Sequence, residues 1–271
     1  MKYKLLAVDM DGTLLTSDKK ISPRNKAALE KLFDRGIYVV TSTGRGLAEI
    51  VDYREDFKRM NYGILISGGV VFDFFRDEPI VTNAVDEKIL LKLIDFGLEE
   101  NAMIHLLTLR SSIARENDIQ HMEDFGMGVY RPIFNRICTR CDDCKDYIRT
   151  HPGAVVKVNL YHRDRPSRDR NLARMNELDL SISYAESNNL EAAPHGITKA
   201  SGLRELCDFL QIDIGETVAI GDGNNDKEIL QTAGLGVAMG NARDSIKQLA
   251  DFVTTDNDSD GVAAAIEKIF G

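Results

Sequence analysis

The chain is predicted to belong to the α/β class, as a parallel sheet core with helices on both faces and a smaller α/β domain inserted into it. Three observations predict this. Short unbroken apolar runs, at Leu5–Val8, Ile37–Val40, Ile64–Ile66 and Thr217–Ile220, have the pattern of parallel strands buried on both faces. Helical stretches alternate with them, as the right-handed crossovers of an open parallel sheet require. The chain changes character near Pro79–Val85 and resumes its former style at Thr198. The core is therefore assigned to 1–82 and 191–271, and the insertion to 83–190.

Taken in order, Leu5–Val8 is the first strand, and a polar segment follows it to Ile21. Ser22 suits an N-cap and Pro23 the first helical position. Ala27, Ala28, Leu29, Leu32 and Phe33 then recur at helical spacing, and Gly36 closes the helix. The second strand runs into Thr41-Ser42-Thr43-Gly44-Arg45. A further helix and the strand Ile64–Ile66 lead to Ser67-Gly68-Gly69. In the insertion, residues 86–98 read as an amphipathic helix, and Ala102–Leu109 as a strand. Residues 111–154 are read as irregular. Val155–Tyr161 and Leu180–Tyr184 read as strands flanking a helix over 167–177. The core then resumes with a helix over 199–210 and the strand Thr217–Ile220. A helix to Ala233, the strand Gly236–Met239, a helix to Ala250, the strand Phe252–Thr254 and a last helix complete it.

Composition narrows the function classes. The chain has 271 residues, 43% hydrophobic and 28% charged, which describes a globular protein rather than a disordered or fibrous one. A net charge of −9 and a pI near 5.2 argue against nucleic acid and acidic membrane surfaces as partners. The apolar run before Asp9 is too short for a signal peptide, and nothing approaches a membrane span. The expected location is the cytoplasm, with the four cysteines reduced.

Chemistry concentrates where predicted strands end. Asp9 and Asp11, spaced i and i+2, follow the first strand, and Gly12 permits a turn after them. Two carboxylates this close repel unless a cation or a shared proton separates them. Taken alone, the pair is equally compatible with an ordinary polar turn. Thr43-Gly44 follows the second strand, where a hydroxyl and helix-N-terminal amides would seat a phosphate. Asp222, Asn225 and Asp226 follow Ile220, and two of them offer the oxygens a hard cation demands. Lys199 opens the first helix after the insertion, a position from which an ammonium offsets phosphate charge. In open α/β sheets the ligand crevice lies beyond the carboxyl ends of the strands, which all of these clusters share.

Asp9-Met10-Asp11-Gly12-Thr13-Leu14, Thr43-Gly44-Arg45, Lys199 within Gly196-Ile197-Thr198-Lys199, and Gly221-Asp222-Gly223-Asn224-Asn225-Asp226 follow in that order. Val237-Ala238-Met239-Gly240-Asn241-Ala242 and Asp260-Gly261-Val262-Ala263 close the series. In order and spacing the chain resembles the haloacid dehalogenase superfamily of phosphotransferases, specifically its Cof-like group with a type IIB cap. That resemblance implies a Rossmann-like catalytic core and an α/β cap that selects substrate. It implies Asp9 as nucleophile, forming an aspartyl phosphate, and Asp11 as general acid and base. Thr43, Gly44, Lys199 and Asn225 would hold the phosphoryl oxygens, with Met10 counted among the phosphate-binding positions. Mg²⁺ would be held by Asp9, Asp222 and the Asp11 backbone carbonyl, with Asp226 in support. The implied function is Mg²⁺-dependent hydrolysis of phosphate monoesters of small metabolites, sugar phosphates among them. The alternatives are a phosphomutase on the same scaffold and a non-catalytic ligand-binding regulator. The acid at position 11 favours phosphatase or phosphomutase chemistry, since the superfamily's transport ATPases carry Thr there and its dehalogenases lack it. Only about thirty residues separate Asp11 from Thr43, too few for the helical cap of the β-phosphoglucomutase type.

Several features stand outside that pattern. Gly68-Gly69 occupies a place where the group often has Asn-Gly. Arg45 is read as a structural salt-bridge partner, and Asn188 and Glu191 as residues that could line the site. Cys138, Cys141 and Cys144 could meet around Zn²⁺ or part of an iron–sulfur cluster, given a fourth ligand such as His151 or His121. Incidental reduced cysteines are the favoured reading. Arg163, Arg165, Arg168, Arg170 and Arg174 interleave with Asp164 and Asp169, so a salt-bridged helix face is expected rather than a polyanion site.

Overall fold

The computed structural model describes residues 2–184 and 187–271. The first strands in the chain are β1 (Leu5–Val8), β2 (Tyr38–Ser42), β3 (Tyr62–Leu65), β4 (Val70–Asp73) and β5 (Glu78–Thr82). Then come β6 (Met103–Thr108), β7 (Ser112–Arg115), β8 (Cys138–Cys141), β9 (Val155–Tyr161), β10 (Leu180–Ser183) and β11 (Asn189–Pro194). Last are β12 (Thr217–Gly221), β13 (Leu235–Ala238) and β14 (Phe252–Val253). They form two sheets in two compact units, one of residues 1–44, 52–81 and 198–271, the other of 45–51 and 82–197.

The first unit is built on a sheet of order β14-β13-β12-β1-β2-β3-β4-β5. It is parallel from β14 to β3, as its apolar runs predict. Alternation along β1 explains those runs. Leu5 and Ala7 pack with Ala200, Leu203 and Leu206 of the helix Lys199–Leu210, while Leu6 and Val8 point to the opposite face and are equally buried. On that opposite side the helix Pro23–Asp34 starts where Ser22 accepts the Asn25 amide through its hydroxyl. The helix Gly261–Phe270 joins it through the Ala263 amide, which donates to Asn25 Oδ1 at 2.9 Å.

Beyond β3 the structure departs from a purely parallel sheet. Ile66 and Ser67 take positive φ angles of 52° and 55°, and the chain reverses so that β4 runs antiparallel on β3. The helix expected after Gly44 is absent: Leu47–Tyr53 is a 3₁₀ helix, entered at Gly46, whose amide donates to Glu49 Oε2 at 2.7 Å. The helix expected to reach Ala250 spans only Asp244–Lys247.

The second unit carries a sheet of order β10-β11-β9-β6-β7-β8, antiparallel except for the β7–β8 pair. The helix Glu87–Glu99 is capped by Asp86, which accepts the Lys88 and Ile89 amides. One sheet face, with Ile104, Leu106, Val158, Leu160, Leu190 and Ala192, forms its main core. The other face contributes Met103, Ala114 and Tyr161 to a smaller core with Met122, Phe125 and Phe134. Residues 111–154 are not irregular. They contain β7, β8 and the helices Glu116–Gln120, Arg131–Ile137 and Cys144–Thr150, each too short to leave a clear periodicity. The unit ends at Ile197 rather than 190, because β11 pairs with both β9 and β10 and cannot be divided at 191. Among the described residues no helix is long and apolar enough to cross a membrane.

Candidate active site

Strand register brings the sequence clusters of the first unit together. Val8 of β1 lies level with Thr41 of β2 and Ile220 of β12, so Asp9, Thr43 and Asp222 all leave the sheet at one edge. The Asp9 amide still donates to Ile220 O at 3.0 Å, which holds the residue to the strand. The chain then turns, with the Leu14 and Leu15 amides donating to the Asp9 and Met10 carbonyls. Asp226 lies in the short 3₁₀ turn Asn224–Asp226, folded back so that its Oδ2 accepts the Asp222 and Gly223 amides.

Lys199 is the first residue of its helix, and its position is fixed locally. The Thr198 hydroxyl accepts the Ser201 amide while Ser201 Oγ accepts the Thr198 amide, a reciprocal capping box. The helix start packs directly against Gly68, whose φ is +95°; a Cβ there would lie 2.0 Å from Thr198 O. So Gly68, the departure noted in the sequence, is the residue that admits the helix carrying Lys199.

At the centre of the site the Lys199 ammonium donates to Asp9 Oδ1 and to Asp226 Oδ1, each at 2.6 Å, and all three side chains are buried. Burial pushes the Asp9 carboxyl well above its ordinary range; Lys199 opposes this, and Asp226 and Asp222 add to it. Burial alone would pull the Lys199 pKa down, but Asp226 and Asp9 outweigh it and hold the ammonium charged. Asp222 is raised to about 6, chiefly by burial and against the hydrogen bond from Thr13.

Carboxylate oxygens of Asp9, Asp222 and Asp226 lie within 4.8 Å of one another. Three carboxylates facing one ammonium leave an excess of negative charge, and the donors are all hard oxygens. This arrangement fits a small divalent cation such as Mg²⁺. The Asp11 carboxylate lies outside that group, half-exposed and 2.8 Å from the Lys19 ammonium. Thr43 is buried just past β2, held by its amide to Ile64 O and by its carbonyl to the Ser67 amide. Gly44 follows it, half-buried, with no α-helix beginning there, so the expected helix-N-terminal amides are not present. Asn225 stands half-buried in the turn between Asp222 and Asp226. The Met10 side chain lies in the core, and its carbonyl accepts the Thr13 and Leu15 amides.

The supporting residues were not read from the sequence. Thr13 Oγ1 donates to Asp222 Oδ1 at 2.7 Å, and Asn241 Nδ2 donates to Gly12 O at 2.8 Å. Both fall inside quoted motifs, but nothing in their type distinguishes a buttress from a turn residue. Gly12 has φ +79°, and a Cβ on it would lie 2.4 Å from Asp222 Oδ2.

The residues that stood outside the pattern fall in the second unit or have structural partners. Arg45 donates to Glu49 O at 3.3 Å. Asn188 Nδ2 donates to Phe125 O and His162 O, and half-buried Glu191 pairs with buried Lys157. The arginine cluster is ion-paired as expected: Arg163 with Asp124, Arg165 and Arg168 with Asp169, Arg170 with Glu100 and Arg174 with Glu99. The three-thiol metal site does not form. Cys138 and Cys141 are three residues apart on one strand, which turns them to opposite sheet faces, Cys138 toward the smaller core and Cys141 toward the main one. His121 Nδ1 is bonded to Asn117 O, and His151 stacks on Tyr147.

Comparison with known proteins identifies the family. A family model described as haloacid dehalogenase-like hydrolase matches residues 6–266. The 5-amino-6-(5-phospho-D-ribitylamino)uracil phosphatase YcsE of Bacillus subtilis is 30% identical over 263 residues, covering 97% of this chain and 94% of that protein. Phosphatase YwpJ of the same organism is 29% identical over 289 residues, covering 98% and 99%. The crystal structure of a haloacid dehalogenase-like hydrolase from Bacteroides thetaiotaomicron superposes with a TM-score of 0.83 at 28% identity, covering 99% of this chain and 100% of that one. The chain belongs to the haloacid dehalogenase-like hydrolase family, among its phosphatases.

Proposed function

We propose that this phosphatase hydrolyses phosphate monoesters of small metabolites with Mg²⁺ and through an aspartyl phosphate on Asp9. The observation that carries the reading is the meeting of Asp9, Asp222 and Asp226 around one buried ammonium at the end of a parallel sheet. When bound, the divalent ion offsets the repulsion between an anionic nucleophile and a dianionic phosphate. Asp9, Asp222 and Asp226 would hold it, with the Asp11 backbone carbonyl as a further ligand. The Asp9 carboxylate attacks phosphorus in line with the leaving oxygen. Asp11, half-exposed beside the cluster, gives that oxygen a proton and then takes one from the water that cleaves the intermediate. Lys199, Thr43, the Gly44 amide, Asn225 and the Met10 backbone amide hold the phosphoryl oxygens as charge develops on them.

A relative named for a phosphoribityl compound supports small phosphorylated metabolites as the substrate class. Sugar phosphates and sugar-alcohol phosphates are the first compounds to test. Phosphate release from such a panel, with Mg²⁺ and with chelator, should be metal-dependent and should be abolished by Asp9→Asn. Brief incubation with substrate followed by acid quench should leave phosphate on Asp9 in the parent. Equal turnover by the parent and Asp9→Asn would falsify the assigned nucleophile.

A further inference from the structure

The second unit holds a pair of thiols that the phosphatase reading does not use. Cys141 ends β8, the edge strand of its sheet, and Cys144 opens the helix Cys144–Thr150 after two intervening residues. Their sulfurs lie 3.8 Å apart. Both face the main core of the unit, and Asp143 fixes the link between them by accepting the Lys145 amide at 2.7 Å. Their exposure differs. Cys144 is buried, whereas Cys141 is half-buried at the open edge.

We propose that Cys141 and Cys144 form a reversible dithiol–disulfide couple that exchanges with low-molecular-weight disulfides, Cys141 being the attacking thiol and Cys144 the resolving one. A disulfide needs the sulfurs at about 2.05 Å, so closure requires a side-chain movement of less than about 2 Å. In the first step Cys141 loses its proton and its sulfur attacks one sulfur of the incoming disulfide. The S–S bond of that reagent breaks, and one thiolate leaves and is protonated. In the second step Cys144 loses its proton and attacks Cys141 Sγ, and the second thiol departs. The protein gives up two electrons and two protons, and the reagent is reduced to two thiols.

The surroundings favour this order. The hydrogen bond shared with Cys144 lowers the Cys141 pKa, with Arg115 adding to the effect against burial. The same hydrogen bond, with burial, raises Cys144, which suits a thiol that acts only once the mixed disulfide has formed. Burial lifts Cys138 and Cys207 to about 11, so neither competes.

The full-length protein should be incubated with excess oxidised glutathione near neutral pH, alkylated, digested and mapped by mass. Residues 141–145 should be recovered unalkylated and about 2 Da lighter, and dithiothreitol should restore both thiols. Cys138 and Cys207 should remain alkylated. Cys144→Ser should accumulate a stable glutathione adduct on Cys141, and Cys141→Ser should take up none. Four alkylated cysteines after oxidation, or a bond or adduct on Cys138 or Cys207, would overturn the proposal. Uptake at Cys144 in Cys141→Ser at the parental rate would overturn the assigned order. The couple shares no residue with the carboxylate cluster, so this test and the phosphate-release test can fail separately.

Discussion

Lys199 Nζ lies 2.6 Å from Asp9 Oδ1 although 190 residues separate them in the chain. The same ammonium is the counter-ion of Asp226. Removing it leaves two buried carboxylates facing each other, and an uncompensated buried charge costs about 3–5 kcal/mol. Lys199→Met should therefore lose stability in a denaturant titration and lower phosphate release by about 10²–10³. Unchanged turnover in a folded Lys199→Met protein would remove Lys199 from the site.

Asp222 tests the cation. A ligand that binds only the folded state stabilises by about 2.7 kcal/mol at a hundred times its dissociation constant. Adding Mg²⁺ should raise the melting temperature of the parent, and chelator should reverse the gain. Asp222→Asn should abolish most of that shift while melting normally without metal. An equal Mg²⁺ shift in parent and variant would show that the ion binds elsewhere.

Gly68→Ala should act at a distance through one backbone contact. Its Cβ would meet Thr198 O at 2.0 Å, and its φ of +95° is strained for any L side chain. The start of the helix must then move, and Lys199 with it. Turnover should fall at least about tenfold, since small displacements of positioning groups are costly. Retention of parental turnover and melting temperature would mean the close approach is not needed.

In the second unit, Lys157 and Glu191 form an ion pair with both side chains largely buried. Glu191→Gln removes the negative charge that faces the Lys157 ammonium and should cost about 3–5 kcal/mol, whereas Lys157→Met with Glu191→Leu should recover most of the loss. Denaturant midpoints of the parent and the two variants measure this. A double variant no better than the single one would contradict it.

His105 makes a pH prediction in the same unit. Burial, aided by Lys157 and opposed by Glu191, lowers its pKa from 6.5 to about 3. Its ring contacts Ser112, Phe134 and Tyr161. Between pH 6.5 and 3 the unfolded chain binds a proton here that the folded chain refuses, so stability falls as pH falls through that window. Above pH 6.5 the residue contributes no slope. His105→Gln should flatten the acid limb of a stability–pH curve relative to the parent. Parallel curves would place the acid sensitivity in other groups.

Much of this architecture is legible in local chemistry. Ser22-Pro23 sets a helix start, and the apolar run of β1 marks a strand covered on both sides. Those signals arise from neighbours in sequence, and the structure agrees with them. The antiparallel strand β4, the elements within 111–154 and the missing helix after Gly44 depend instead on tight turns and pairings, in elements that mostly run seven residues or fewer. The cysteines show the same limit: a regular x-x spacing hides the fact that strand alternation turns Cys138 away from Cys141 and Cys144.

By itself the sequence determines the family, the order of the carboxyl-end clusters and the identity of Asp9, Asp11, Thr43, Lys199, Asp222 and Asp226 as the residues to watch. It does so because motif chemistry is local. Only the tertiary structure decides that Lys199 is shared between Asp9 and Asp226, that Asp11 stands apart with Lys19, and that Gly12 and Gly68 admit Asp222 and the Lys199 helix. Distances between residues far apart in the chain follow from sheet register and packing, and no stretch of sequence encodes those alone.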